Sequence, residues 1–234
     1  MNRYPVTAVE VDWLGRVEYV QALEIQRQSL RTLALGERQD TLLLLEHPHV
    51  FTMGRRATIE HVLWDDDERR ARSVDLIWTD RGGDVTYHGP GQLVAYLIAD
   101  LERLGRDVLS YLRGLEQTVI RLLSELGIDA HVDPPLTGVW TAQGKIAAIG
   151  VRASGSKVSH GLALNVRCDL DYFTGIVPCG LQDKKVTSIL ELGQSVTVEQ
   201  CALLFAAHFG REFGVKTQWV RRPKPLSESG TTQP

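Results

Sequence analysis

The amino-acid sequence predicts an α+β fold, a mixed β-sheet with flanking helices. Three observations carry that prediction. Short apolar stretches of strand length recur at 41–45, 74–78, 93–98 and 158–166. Three longer stretches, 17–35, 107–126 and 197–213, follow a helical period. The two kinds do not alternate strictly, so the pattern is not that of a purely parallel, doubly wound sheet.

Taken in order, residues 6–13 alternate apolar and polar side chains, as a half-buried strand does. Residues 17–35 place Val20, Leu23, Ile25, Leu30 and Leu33 on or near one helix face. Residues 41–45 read as a buried strand, stopped at His47-Pro48. Residues 65–72 read as a charged, solvated helix. Its aspartates Asp65, Asp66 and Asp67 come first and its arginines last, which suits the helix dipole. A strand at 74–78 enters a glycine-rich loop at 81–91, and a strand at 93–98 leaves it. The second long helix, 107–126, ends at Gly127. Residues 138–140 and 145–152 read as a hairpin about a turn at 142–144. A strand at 158–166 and a helix at 197–213 follow, with Gly214 just past the helix end. Residues 215–220 supply a last strand to close the sheet. From Arg221 the chain holds Pro, Ser, Gly and Thr with little that is apolar, and a disordered tail is expected. The expected organisation is one domain over 1–220 and a tail over 221–234.

The chain has 234 residues, enough for one core without disulfide or metal staples. A net charge of -3 argues against non-specific nucleic-acid binding. Cys168, Cys179 and Cys201 are an odd, sparse set with no CxxC spacing. That fits a reducing compartment and gives no support to a zinc or redox motif. The N-terminal stretch has no apolar leader segment, and the apolar run at 42–45 is too short to span a bilayer. The expected location is the cytoplasm, with no nucleic-acid and no membrane partner.

Three segments carry chemistry. The first runs Arg81, Gly82, Gly83, Asp84, Val85, Thr86, Tyr87, His88, Gly89, Pro90, Gly91, Gln92. Four glycines between apolar strands let backbone approach a ligand and expose N–H groups as an anion nest. Arg81, Thr86 and His88 add side-chain donors. No Gly-Lys-Ser/Thr ending follows, so it is not a P-loop. The second segment is Lys145 at the head of a strand of apolar and small residues, Ile146 to Val151. Read alone, Lys145 fits a strand-end lysine reaching to water; held in that strand, it would lose solvent and its ammonium would be disfavoured. The third is Ile176-Val177-Pro178-Cys179-Gly180, which places a thiol in a rigid, irregular turn. Cys168 and Cys201 read as structural thiols, and Cys179 alone has nucleophile-like surroundings.

Together these segments resemble the lipoyl(octanoyl) transferase family of lipoate biosynthesis. The family pattern RGG-x-x-T-x-H-x-PGQ is matched in full by residues 81–92. The lysine strand is matched by residues 144–152, and the HG-x-ALN strand by His160, Gly161, Ala163, Leu164 and Asn165. The cysteine turn is matched by Ile176, Pro178, Cys179 and Gly180, and Glu46-His47-Pro48 with Phe51-Thr52-x-Gly54 also fits. Four motifs in the right order make the resemblance specific over roughly residues 6–220. It implies a fold like the catalytic domain of biotin and lipoate protein ligases. It implies octanoyl transfer from octanoyl-acyl carrier protein to a lysine of lipoyl domains, those of 2-oxoacid dehydrogenase complexes and the glycine cleavage H protein. Cys179 would carry the acyl thioester and Lys145 would lower its pKa. Substrate contacts would come from Arg81, Gly82, Gly83, Asp84, Val85, Thr86, Tyr87 and His88, from Ala148, Ile149 and Gly150, and from Gly161, Leu162 and Ala163. No cofactor and no metal are implied.

The chemistry agrees with these residue types. A thioester donor is already activated, and covalent catalysis splits the transfer in two. A free thiol near pKa 8.5 is only a few per cent thiolate at neutral pH, so an adjacent ammonium raises the reactive fraction. The small residues Gly83, Ala147, Ala148, Gly150, Gly161 and Ala163 suit an apolar slot in which each buried methylene contributes about 0.8 kcal/mol. His47-x-His49 lacks a third ligand at metal-site spacing. Arg55-Arg56, Arg69-Arg70-x-Arg72 and Arg103-x-x-Arg106 are candidate docking sites for acidic carriers. The competing readings are an ATP-dependent lipoate ligase or a lipoyl-domain amidotransferase on the same fold. Further away stand an inactive carrier-binding module and a cysteine hydrolase.

Overall fold

A computed structural model of the chain describes residues 8–177 and 185–224. Strand β1 (Ala8–Arg16) leads into helix α1 (Tyr19–Leu35), then β2 (Thr41–Glu46) and β3 (Val50–Met53). The short helix α2 (Asp66–Ala71), β4 (Asp75–Trp78), β5 (Val85–His88) and β6 (Gln92–Asp100) follow. Helix α3 (Val108–Glu125) precedes β7 (Val139–Thr141), β8 (Gly144–Ser154) and β9 (Lys157–Asn165). Helix α4 (Val198–Phe213) and β10 (Lys216–Arg221) complete the described chain.

The main sheet has seven strands in the order β10-β1-β2-β6-β9-β8-β7. β10, β1 and β2 pair in parallel, and every pair from β2 to β7 is antiparallel. This is the mixed sheet the sequence predicts. Its centre is apolar without interruption because both faces are covered. Leu93, Ala95 and Leu97 of β6 pack in a core with Tyr111, Leu115 and Val119 of α3 and Phe205 and Phe209 of α4. Val94, Tyr96 and Ile98 of the same strand turn the other way, into a core with Ala22 and Leu33 of α1. The helix starts follow local sequence. Asp65, Asp107 and Thr197 each close a capping box at the head of α2, α3 and α4.

A second sheet of three strands, β4-β3-β5, was not expected from the sequence. β3 is only four residues long and buried throughout, so it shows no alternation to read. β5 lies inside the stretch read as a glycine-rich loop. This small sheet has its own core, with Phe51, Met53, Val85, Tyr87, Trp64 and Phe173. β10 forms an edge of the main sheet and reaches Arg221, whose guanidinium donates to both carboxylate oxygens of Asp12 at 2.6 and 2.7 Å. The cysteine turn at 178–180 and the tail beyond Lys224 lie outside the described residues. Among the described residues, no helix is long and apolar enough to cross a membrane.

Candidate active site

A cleft of ≈ 580 Å³ opens where residues 81–88 lie against β8 and β9. Arg81, Gly82, Gly83, Asp84, Val85, Thr86 and His88 line it from the loop and β5. Ala148, Ile149, Gly150, Gly161, Leu162 and Ala163 line it from β8 and β9, and Lys145 lines it as well. Tyr87 is the exception. Its ring is fully buried in the small sheet's core, and its hydroxyl pairs with His49 Nδ1 at 2.9 Å. Cys179 lies outside the described residues.

The loop meets β8 backbone to backbone. Gly82 N–H donates to the Val151 carbonyl at 2.8 Å. A Cβ on Gly150 would stand 2.8 Å from the Gly82 carbonyl oxygen, so only glycine permits this approach. Arg81 then anchors the loop. Its buried guanidinium donates to the Thr52 hydroxyl from Nε at 3.1 Å, to the Thr52 carbonyl, and to the Gly82 carbonyl at 3.0 Å. The unexpected strand β3 is therefore what holds Arg81.

His88 sits at the end of a buried polar chain. Asn165 Nδ2 donates to the Thr187 carbonyl at 2.9 Å, and Gln92 Nε2 donates to Asn165 Oδ1 at 2.9 Å. Gln92 Oε1 must then accept, and it does so from His88 Nδ1 at 2.7 Å. Burial holds the imidazole well below its usual pKa, with the neighbouring His47 acting the same way. His88 is thus neutral, protonated on Nδ1, with its Nε2 lone pair available as an acceptor.

His160 adopts a left-handed backbone, φ 59°, within β9. Its Nε2 donates to Asp80 at 2.9 Å, and Arg152 pairs with the same carboxylate at 2.8 Å. Burial lowers the pKa of His160, and Asp80 offsets this in part. Partial burial acts to raise the pKa of Asp80, but the bond from His160 and the Arg152 guanidinium act to hold it below the usual value. The pair is therefore a carboxylate receiving a bond from a neutral imidazole.

Lys145 opens β8 with its Nζ 5.2 Å from the centroid of Trp140, a cation–π distance. Its backbone pairs with the segment that follows the cysteine turn. Lys145 N–H donates to the Lys185 carbonyl at 2.9 Å, and Thr187 N–H donates to the Lys145 carbonyl at 3.0 Å. On the other flank, Val177 N–H donates to the His61 carbonyl at 2.8 Å. The His61 imidazole in turn meets Asp84 of the loop at 2.6 Å. The other two cysteines are buried, and burial pushes each thiol up to about 12.

The sequence reading missed several cleft residues. Tyr96 reaches the cleft from β6, and its hydroxyl donates to His47 Nε2 at 2.9 Å. His47 Nδ1 donates to the Val17 carbonyl at 2.6 Å, so both its nitrogens serve this bridge. Leu112, Pro135, Leu136 and Trp140 also line the cleft, and only tertiary packing brings them there. The Glu-His-Pro segment was the one local signal for His47. Among the arginine clusters, Arg69 and Arg70 pair within α2, Arg103 approaches Asp40, and Arg106 caps the Glu212 carbonyl. Arg56 reaches the cleft.

Comparison with known proteins agrees with this architecture. The profile of the lipoyl protein ligase A/B catalytic domain matches residues 18–210. A putative lipoate protein ligase from T. acidophilum, solved with bound lipoic acid, shares the fold at TM-score 0.70 and 15% identity, over 95% of this chain and 91% of its own. Biotin protein ligase from Aquifex aeolicus is more distant, at TM-score 0.52 and 14% identity over 88% of this chain and 70% of its own. In sequence, an octanoyltransferase of Solibacter usitatus is 51% identical over 86% of this chain and 90% of its own length. The chain belongs to the lipoyl protein ligase A/B catalytic-domain family and, within it, to the octanoyltransferases.

Proposed function

We propose that the protein moves an octanoyl group from octanoyl-acyl carrier protein to a lysine of lipoyl domains, through a thioester on Cys179, in lipoate biosynthesis. The acceptors are the lipoyl domains of 2-oxoacid dehydrogenase complexes and the glycine cleavage H protein, and the reaction belongs in the cytoplasm, where a thiol stays reduced. The observation that carries the reading is the backbone pairing of Lys145 with residues 185–187. It ties the lysine of the cleft to the chain that follows the cysteine turn.

In the first step, the Cys179 thiolate attacks the donor thioester carbonyl and expels the carrier thiolate. The Lys145 ammonium favours the thiolate beforehand. Backbone N–H groups of the glycine-rich segment beyond Gly82, whose own N–H is taken by the Val151 carbonyl, are suited to the tetrahedral oxyanion. Acylation removes the thiolate charge, so Lys145 loses its anionic partner and its proton passes to the departing carrier thiolate, which leaves as the thiol. In the second step, the acceptor amine attacks the Cys179 thioester, its proton passes to Lys145, and the Cys179 thiolate leaves. The acyl chain lies along Ala148, Gly150, Gly161 and Ala163, where side chains are small.

The test is the intact mass after mixing with octanoyl-acyl carrier protein, beside Cys179→Ser. The wild type should gain one octanoyl group and the variant none. No adduct in either, with octanoate activated once ATP is added, would make the protein a ligase.

A further inference from the structure

A buried carboxylate behind Lys145 is not used by this chemistry. Glu116 of α3 is fully buried. Arg113 donates to its Oε2 at 2.5 Å, and its Oε1 accepts the N–H of Gly138 at 3.1 Å. A carboxylate is a costly group to bury, so its two bonds demand an account.

Gly138 is the wall along which the Lys145 stem lies. A Cβ there would stand 2.7 Å from Lys145 Cε and 2.6 Å from the Ala147 carbonyl oxygen. Its φ of +123° is a conformation that side-chain-bearing residues rarely adopt. Two residues on, Trp140 faces the Lys145 ammonium, and its backbone is bracketed by reciprocal bonds with His131 at 2.8 Å. One short stretch, 138–140, therefore supplies both the surface for the lysine stem and the ring for its head. Glu116 pins the start of that stretch from the helix beneath.

We propose that Glu116 is a positioning residue for the transfer, acting through Gly138 to set where the Lys145 ammonium stands. The inference rests on the reading of Lys145 as the partner of Cys179. What matters is the acceptor oxygen presented to Gly138 N–H rather than the negative charge. An amide that keeps its oxygen toward Gly138 should serve, with the half-exposed Arg113 turning from its NH2 group into solvent, and a methyl should not.

The experiment follows alkylation of the Cys179 peptide by iodoacetamide against pH, with single-turnover acylation by octanoyl-acyl carrier protein. Wild type, Glu116→Ala, Glu116→Gln and Lys145→Met are compared, each checked for a cooperative melt. In Glu116→Ala the alkylation midpoint should rise by about one pH unit toward that of free cysteine, with roughly tenfold slower acylation at neutral pH and little change in donor KM. Glu116→Gln should restore both. A folded Glu116→Ala with the wild-type midpoint overturns the proposal, as does a folded Glu116→Gln as impaired as Glu116→Ala. Lys145→Met separates the two levels. If it raises the midpoint while Glu116→Ala does not, only the positioning role fails. If it too leaves the midpoint unchanged, the pairing of Lys145 with Cys179 fails first.

Discussion

The cleft has two sides made by different means. The side from β8 and β9 is a run of backbone pairing, unbroken from Ala147 opposite Leu164 to Ser154 opposite Lys157. Its form comes from pleat and residue size, and Gly161 is glycine because a Cβ would overlap the Ala95 carbonyl oxygen. The side from residues 81–88 is held by side chains: Arg81 on Thr52, Asp84 on His61, and His88 on Gln92. The first side sets shape, and volume added there is taken from the cleft or, at Gly150 and Gly161, collides with backbone. The second sets the direction of polar groups and fails when one partner is lost, because the other is left buried and unpaired.

The largest effect falls at Lys145, which belongs to the sheet side yet carries an ammonium into the cleft. Lys145→Met should slow acyl-enzyme formation on the order of a hundredfold or more, as loss of a proton-handling group does. Rapid-quench acylation would read it, and a near-normal rate would remove Lys145 from the chemistry. On the loop side, Arg81→Lys should lower kcat/KM by tens of fold, since a single ammonium cannot reproduce the fork that holds Thr52 and Gly82. Its melting temperature should fall too. An active, fully stable Arg81→Lys would mean the loop stands without its anchor.

Stability against pH probes the histidines between the two sides. Burial lowers His47 to about 4 from an unfolded value of 6.5. Between those values the unfolded chain holds a proton that the folded one refuses, so stability rises with pH through the window and is lost as pH falls from 6.5 to 4. One such group contributes about 3 kcal/mol across the window. His88 and His160, also lowered, act in the same sense. Denaturant titrations from pH 4 to 7 should show the slope, and His47→Gln should flatten it by one proton's share. An unchanged slope would place a charged His47 in the fold. The smallest effect belongs to the sheet side. Ala148→Val should shift preference from eight-carbon toward six-carbon donors by several fold per methylene excluded, the worth of about 0.8 kcal/mol each. Competition between the two donors would measure it, and no shift would place the chain elsewhere in the cleft.

Much of the fold was legible because its signals are local. Asp65, Asp107 and Thr197 mark helix starts through bonds to residues within a turn. The apolar runs at 41–45 and 93–98 became β2 and β6 because both faces of those strands are covered. β3 and β5 were not legible, since one is too short and fully buried and the other is bracketed by glycines. The site divides the same way. The glycines, Arg81 and His88 stand out by unusual chemistry in a glycine-rich setting, whereas Lys145 read alone fits a strand-end lysine and is marked only by the family resemblance. Tyr96 reads as one more apolar strand residue, and Gln92 and Asn165 stand far apart in the chain although their side chains bond.

Short-range bonds and periodicity specify most of the helices and the longer strands, and the family motifs are written directly in the residue order. Long-range packing is what sets Thr52 against Arg81, turns Tyr87 from the cleft into the core, and stands Glu116 behind Lys145. Those contacts join residues distant along the chain, and burial makes them obligatory: a polar group without water must find its partner wherever the fold has brought one.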